Sequence, residues 1–164
     1  YPFYTDQNTI LYKGICTSVK TEYSPSFNRS NSDRVTIIEL QDGTIITAST
    51  SALLGPSAAL LLNAAKHLAG IPHDIRLIPK QMIEPIQKTK VDYLGGNNPR
   101  LPMDEVLVAL SVLSLHDANC RRALAMLPEL NGLQAHSTVM LSQVDQKILK
   151  KLGISLTCDP ATKK

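Results

Sequence analysis

The sequence predicts an α/β domain: a mixed five-stranded sheet within a three-layer sandwich, with a helical insertion. Three observations carry this expectation. Two short apolar runs flank Asp42-Gly43, strand-like and helix-like runs alternate over residues 55–78 and again over 133–158, and a long helical block separates those alternations. A strand, a helix and a second strand in that order form a right-handed crossover between parallel neighbours.

Residues 1–34 are a poorly patterned segment. "ILYKGICTSV" (10–19) has the composition of a strand and "SPSFNRSNSD" (24–33) that of a mobile loop. Residues 35–160 read as one domain. "VTIIEL" (35–40) and "GTIITAS" (43–49) are expected to pair across Asp42-Gly43, a dipeptide suited to a two-residue type I′ turn. That turn would set Leu40 opposite Ile45 and Ile38 opposite Thr47. Apolar residues on both faces of the hairpin call for a sheet covered on both sides.

"GPSAALLLNAAKHLAG" (55–70) reads as a helix with Pro56 in its first turn and Gly70 just past its last. "IRLI" (75–78) follows as a short inner strand. "PKQMIEPIQKTKVDYL" (79–94) carries no assignment. Two helices are expected over about 103–115 and 118–127, ended by Pro128 and Asn131-Gly132. "LQAHSTVML" (133–141) alternates as a strand does. Ser142 then caps a helix in the pattern Ser-x-x-Asp, with Asp145 at the reciprocal position. That helix stops at Gly153, and "ISLTC" (154–158) forms a last strand parallel to 133–141. This is the element order of the cytidine-deaminase-like topology, an analogy that carries no function by itself.

Composition removes several classes of function. Hydrophobic residues make up 43% and charged residues 19%, ordinary values for a globular domain. The net charge of +3 comes from 17 basic and 14 acidic residues that are scattered along the chain, and aromatics are only 4%. Neither a basic patch nor a stacking platform for nucleic acid is present. Apolar runs such as Ala58–Leu62 are too short to cross a bilayer, and the start has no signal-peptide pattern. Cys16, Cys120 and Cys158 are distant and odd in number, which points to a reducing, cytoplasmic setting. Tyr1 in place of a methionine leads us to expect a piece of a longer protein.

Most chemistries fail on their motifs. Zinc deaminases need His-x-Glu and Pro-Cys-x-x-Cys at two helix starts, where this chain has "TASTSALLGPS" and "IPKQMIEP". His116 and Cys120 share a helical spacing, but two ligands make no site, so no metal is expected. There is no Gly-x-x-x-x-Gly-Lys phosphate loop and no Gly-x-Ser-x-Gly elbow. His136-Ser137 with Cys158 is the best nucleophile arrangement, on neighbouring strands but not evidently in register.

Two helix starts carry more. Thr50, Ser51 and Ser57 follow a strand and precede a helix, where hydroxyls and backbone amides can meet an anion. "YLGGNNPRLPMDEV" (93–106) brings Asn98 and Arg100, with Lys90 just before, to the start of the next helix. A connector explains Gly95, Gly96, Pro99 and Pro102, but it does not need a guanidinium. The expectation is a bend in which Arg100 engages Asp104, Glu105 or backbone carbonyls. The alternative is a loop that turns Arg100 towards a ligand carboxylate or phosphate.

The stretches "LQDGTIITASTSALLGPSAALLLNAAKHLAGIP", "IEPIQKTKVDYLGGNNPRLPMDEVLVALS" and "HSTVMLSQVDQKILKKLGISLTCDP" resemble, with the same spacing, the C-terminal part of domain of unknown function 1846. The resemblance to this mainly bacterial family covers about residues 35–160. It implies a larger parent whose N-terminal portion handles nucleotides through a glycine-rich, phosphate-loop-like segment, and a C-terminal portion of cytidine-deaminase topology. Some members have been labelled ATP-dependent peptidases, and nothing in this chain supports that chemistry. Two functions follow as expectations. One is a contribution of Arg100, Asn98, Lys90 and the Thr50/Ser51 cap, with Ser57 and His136 as further candidates, to a nucleotide or phosphate site. The other is assembly with the parent's N-terminal domains or a second copy, through Leu107, Leu110, Leu113 and Leu124. Neither a cofactor nor a reaction is assigned.

Overall fold

A computed structural model describes residues 35–158. The strand reading of residues 10–19 and the loop reading of 24–33 lie outside them. In chain order the elements are β1 (Val35–Glu39), β2 (Ile45–Ser49), α1 (Pro56–Ala69), α2 (Lys80–Lys88), α3 (Met103–Leu113), α4 (Ala118–Ala125), β3 (Gln134–Ser137), α5 (Gln143–Lys151) and β4 (Ser155–Cys158). A π-helical turn, Thr89–Tyr93, extends α2, and a 3-10 turn, Leu127–Leu130, follows α4.

The sheet is mixed, with strand order β2-β1-β3-β4. β1 is antiparallel to both neighbours and β3 is parallel to β4, so β2, β3 and β4 share one direction as expected. Two expectations fail here. The hairpin loop has three residues rather than two: Leu40 N donates to Thr44 O at 2.9 Å and Gly43 N to Leu40 O at 2.9 Å. Gly43 takes φ +86°, the left-handed residue that closes such a loop. The register therefore pairs Ile38 with Ile46 and Ile37 with Thr47. This one-residue shift exchanges faces along the whole of β2 relative to β1.

The second failure is at 75–78, which is not a strand. The run is only four residues long between Pro72 and Pro79, and side chains rather than a neighbouring strand engage this connection. Lys66 Nζ donates to His73 O at 2.8 Å, and Cys120 Sγ contacts Leu77 O at 3.3 Å. Leu77 and Ile78 are buried among helices, and β3 lies directly beside β1. The described residues thus form four strands, not the five-stranded cytidine-deaminase-like order. β3 also ends early, at Ser137. The Ser137 hydroxyl accepts from Val139 N at 3.2 Å and donates to Val139 O at 2.6 Å, which turns the chain out of the sheet.

The core occupies one face of the sheet. Ile38, Ala48 and Ala135 on that face pack with Leu60 and Leu61 of α1, Val106 and Leu110 of α3, Ala123 of α4 and Leu149 of α5. Ile37 and His136 pair in register on the other face and are also buried. The expected three layers are not seen among the described residues, whose helices share the core on one face of the sheet. α2 had no sequence signal because Pro85 stands inside it and removes one backbone donor.

Candidate functional site

Three helices begin at the carboxyl ends of β2 and β3: α1 behind Gly55, α3 behind Pro102 and α5 behind Ser142. Between them lies a cavity of about 460 Å³, within the size range of small-molecule sites. In open α/β sheets this is the end where ligands bind.

One buried carboxylate ties the three helix starts together. Asp145 accepts from Ser57 Oγ at 2.5 Å and from Met103 N at 2.9 Å, while its own amide donates to Ser142 Oγ at 3.2 Å. A carboxylate at helix N-termini with both oxygens bonded is well stabilised there. Ser142 caps α5 as the sequence indicated. The Asp145 side chain, however, reaches across to α1 and α3 rather than back to its own cap.

The outer wall is the segment between α2 and α3. Its end is fixed to the β2–α1 connection: Leu101 N donates to Leu53 O at 3.0 Å and Gly55 N to Leu101 O at 3.2 Å. Its start folds back so tightly that Gly96 N donates to Lys90 O at 2.8 Å, and a Cβ on Gly96 would stand only 3.0 Å from that carbonyl. Asn98 Oδ1 accepts from Arg100 N at 3.0 Å, holding a local turn. Lys90 Nζ donates to Arg100 O at 2.7 Å and stands 3.0 Å from Glu105 Oε1, an ion pair off the line of a hydrogen bond.

Arg100 does not pair with Asp104 but engages a backbone carbonyl, one of the partners the expected bend allowed. Lys90 takes Glu105, Asp104 Oδ1 accepts from Glu105 N at 2.9 Å, and Arg100 Nε donates to Ser51 O at 2.6 Å. Arg100 is half-buried and lines the cavity, and its terminal nitrogens make no hydrogen bond among the described residues. Thr50 also lines the cavity. Its hydroxyl oxygen is buried and has no hydrogen-bond partner among the described residues.

The structure brings together Thr50, Lys90, Asn98 and Arg100 on the cavity wall. Ser57 is completely buried and committed to Asp145. The Ser51 hydroxyl is taken by Leu53 N and Leu54 N, so its carbonyl is the group that serves Arg100. His136 is elsewhere, on the sheet face opposite the core, with Nδ1 2.9 Å from Thr157 Oγ1. Cys158 is in register with Ser137, so His136 and Cys158 project to opposite faces of the sheet and form no nucleophile pair. His116 is exposed while Cys120 is fully buried. Burial, and next Asp117, push the Cys120 thiol up from its ordinary value, away from the reactive thiolate. Among the described residues no group of three His, Cys, Asp or Glu side chains is placed to hold a metal ion, and no helix is long and apolar enough to cross a membrane.

Sequence reasoning read Asp145 only as a cap and did not notice Met140 and Val144, which form an apolar part of the cavity rim. A Ser-x-x-Asp pattern looks the same whether its carboxylate turns back or reaches across.

The class defined by these features is an α/β domain with a ligand-sized cavity at the carboxyl end of its sheet. A family model described as "Domain of unknown function DUF1846, C-terminal" matches residues 18–164, and the chain belongs to that family. The match begins within the segment that pattern alone left outside the resemblance. A UPF0371 protein of Corynebacterium aurimucosum is 54% identical over 123 residues, which are 75% of this chain and 25% of that protein. A UPF0371 protein of Corynebacterium diphtheriae is 51% identical over 127 residues, 77% of this chain and 26% of the relative. One from Streptococcus thermophilus is 46% identical over 123 residues, 75% and 25%. The chain spans about a quarter of the length of these curated relatives.

Proposed function

We propose that this domain contributes one wall of a binding site for a phosphate-bearing ligand, a nucleotide or a smaller phosphate compound, within a longer protein. The observation that carries the reading is Arg100: its Nε is fixed on Ser51 O, while its terminal nitrogens stay uncommitted at a cavity bordered by three helix starts. A guanidinium fixed at one edge is preorganised to fork onto phosphate oxygens with the other.

The acids on the wall already have partners. Glu105 is with Lys90, Asp145 with Ser57 and Met103 N, and Asp104 with the amide of Glu105. Arg100 is thus the cation on this wall without a carboxylate partner among the described residues, and the Thr50 hydroxyl supplies a further polar contact. The Asp104 charge opposes an anion, so the site favours ligands that bring several phosphate oxygens to Arg100. A reducing, cytoplasmic setting suits this reading, since Cys120 is held as a buried core thiol.

The test is a thermal-shift comparison on the full-length protein with inorganic phosphate, ADP and citrate. Stabilisation by phosphate or ADP that disappears in Arg100→Ala supports the site. Equal shifts in the wild type and the variant place binding elsewhere in the longer protein and refute the reading.

A further inference from the structure

We infer that the outer face of α3 is a docking surface for the remainder of the longer protein, the portion preceding this domain. Beyond Asp104 and Glu105 in its first turn, α3 carries apolar residues on both faces, and its exposed Ser111 spends its hydroxyl on Leu107 O. Its inner face buries Met103, Val106, Ala109 and Leu110 in the core. Its outer face carries Val108, Val112 and, just beyond its end, Leu115, at 65%, 54% and 72% exposure. These three stand four and three residues apart, on one stripe of the helix. From Val106 to His116 the sequence contains no Asp, Glu, Lys or Arg.

The other helices show that this is not general. α5 turns Lys147, Lys150 and Lys151 outward, and α4 turns Arg121 and Arg122 outward. Apolar residues on both faces of a helix, with no charge beyond its first turn, suit a helix covered on both sides.

Leu107, Leu110, Leu113 and Leu124, which the sequence suggested for assembly, are not the docking residues. Leu110 is in the core and the other three pack against it. The exposed stripe is on the side of α3 turned away from the core.

The occupant follows from size. The matched stretch is a quarter of the relatives' length and the family model is a C-terminal one, so most of the longer protein is covalently attached and close at hand. A tethered segment acts at an effective concentration of about millimolar, so a stripe of three side chains suffices for it. A second copy meeting this face from free solution would need roughly 800 Å² per partner, far more than such a stripe presents.

The full-length protein carrying Val112→Cys, and separately Val108→Cys, tests this through maleimide labelling read by peptide mass spectrometry, which separates these positions from the native cysteines. Each native rate is compared with the rate of the same thiol in the unfolded protein. The expected result is labelling slowed at least tenfold in the native monomer, independent of protein concentration. Labelling at the unfolded rate would overturn the inference. So would protection that vanishes on dilution together with a dimer in sedimentation, which would assign the face to a second copy. Two positions guard against a variant that fails to fold, and the readout is independent of any ligand at Arg100.

Discussion

Asp145 and Arg100 line the same cavity beside helix starts, yet they do different work. Asp145 is buried and both of its oxygens are taken by protein donors. Arg100 is half-buried and only its Nε is taken. A charged group whose hydrogen-bonding capacity is filled by its own fold is a structural pin. One left with oriented, unused donors beside a cavity is available to a ligand. Neither residue type nor position near a helix start separates the two cases; their hydrogen-bond partners do.

The sharpest way to break this comparison is Asp145→Ala. It leaves Ser57 Oγ and Met103 N without their acceptor in a buried setting, and we expect a loss of about 3 kcal/mol in urea unfolding. A loss under about 0.5 kcal/mol would show that Asp145 is not the pin described. Arg100→Ala should behave in the opposite way. Stability should fall by about 1 kcal/mol or less, the worth of one ordinary hydrogen bond, while affinity for a phosphate ligand falls about ten- to a hundredfold. If unfolding shows a loss as large as that of Asp145→Ala, the contrast between the two residues collapses.

Asp104→Asn sharpens the comparison on the ligand side. Removing an exposed charge that faces the anion should tighten phosphate binding by roughly two- to fivefold at low salt, with the gain fading as salt rises. Unchanged affinity across salt would mean that the anion does not sit between Asp104 and Arg100. The smallest effect expected is a pH dependence from Lys66. Burial lowers its pKa from 10.5, so the unfolded chain holds the Lys66 proton at pH values where the folded protein has released it. Stability contributed at this site should therefore rise with pH as the solution passes from the lowered folded value up towards 10.5. Lys66→Met should flatten that alkaline slope in chemical denaturation series.

Much of the fold was legible because strong local signals agreed with tertiary structure. Pro56 and Gly70 bracket α1, Ser142 caps α5, and β3 and β4 run parallel as the intervening helix required. The errors came where tertiary contacts outweighed local pattern. Asp42-Gly43 suits a two-residue turn, but Gly43 closes a three-residue loop, and the face assignment moved with it. The run at 75–78 has strand composition, but Lys66 and Cys120 engage that connection from neighbouring helices. At the site, the gathering of Lys90, Asn98 and Arg100 was visible from spacing alone. That Thr50 joins them was foreseeable from the strand end. The loss of Ser57 to Asp145, a bond across 88 positions, was not.

The central claim is that Arg100, and not another group of the longer protein, holds a phosphate in this cavity. Calorimetric titration of ADP into the full-length protein and into Arg100→Ala, with unfolding curves run on the same samples, tests it most directly. The account predicts saturable binding by the wild type and affinity at least tenfold weaker in the variant, with the two proteins within about 1 kcal/mol in stability. Equal affinities, or no binding by the wild type to ADP or to inorganic phosphate, would contradict it.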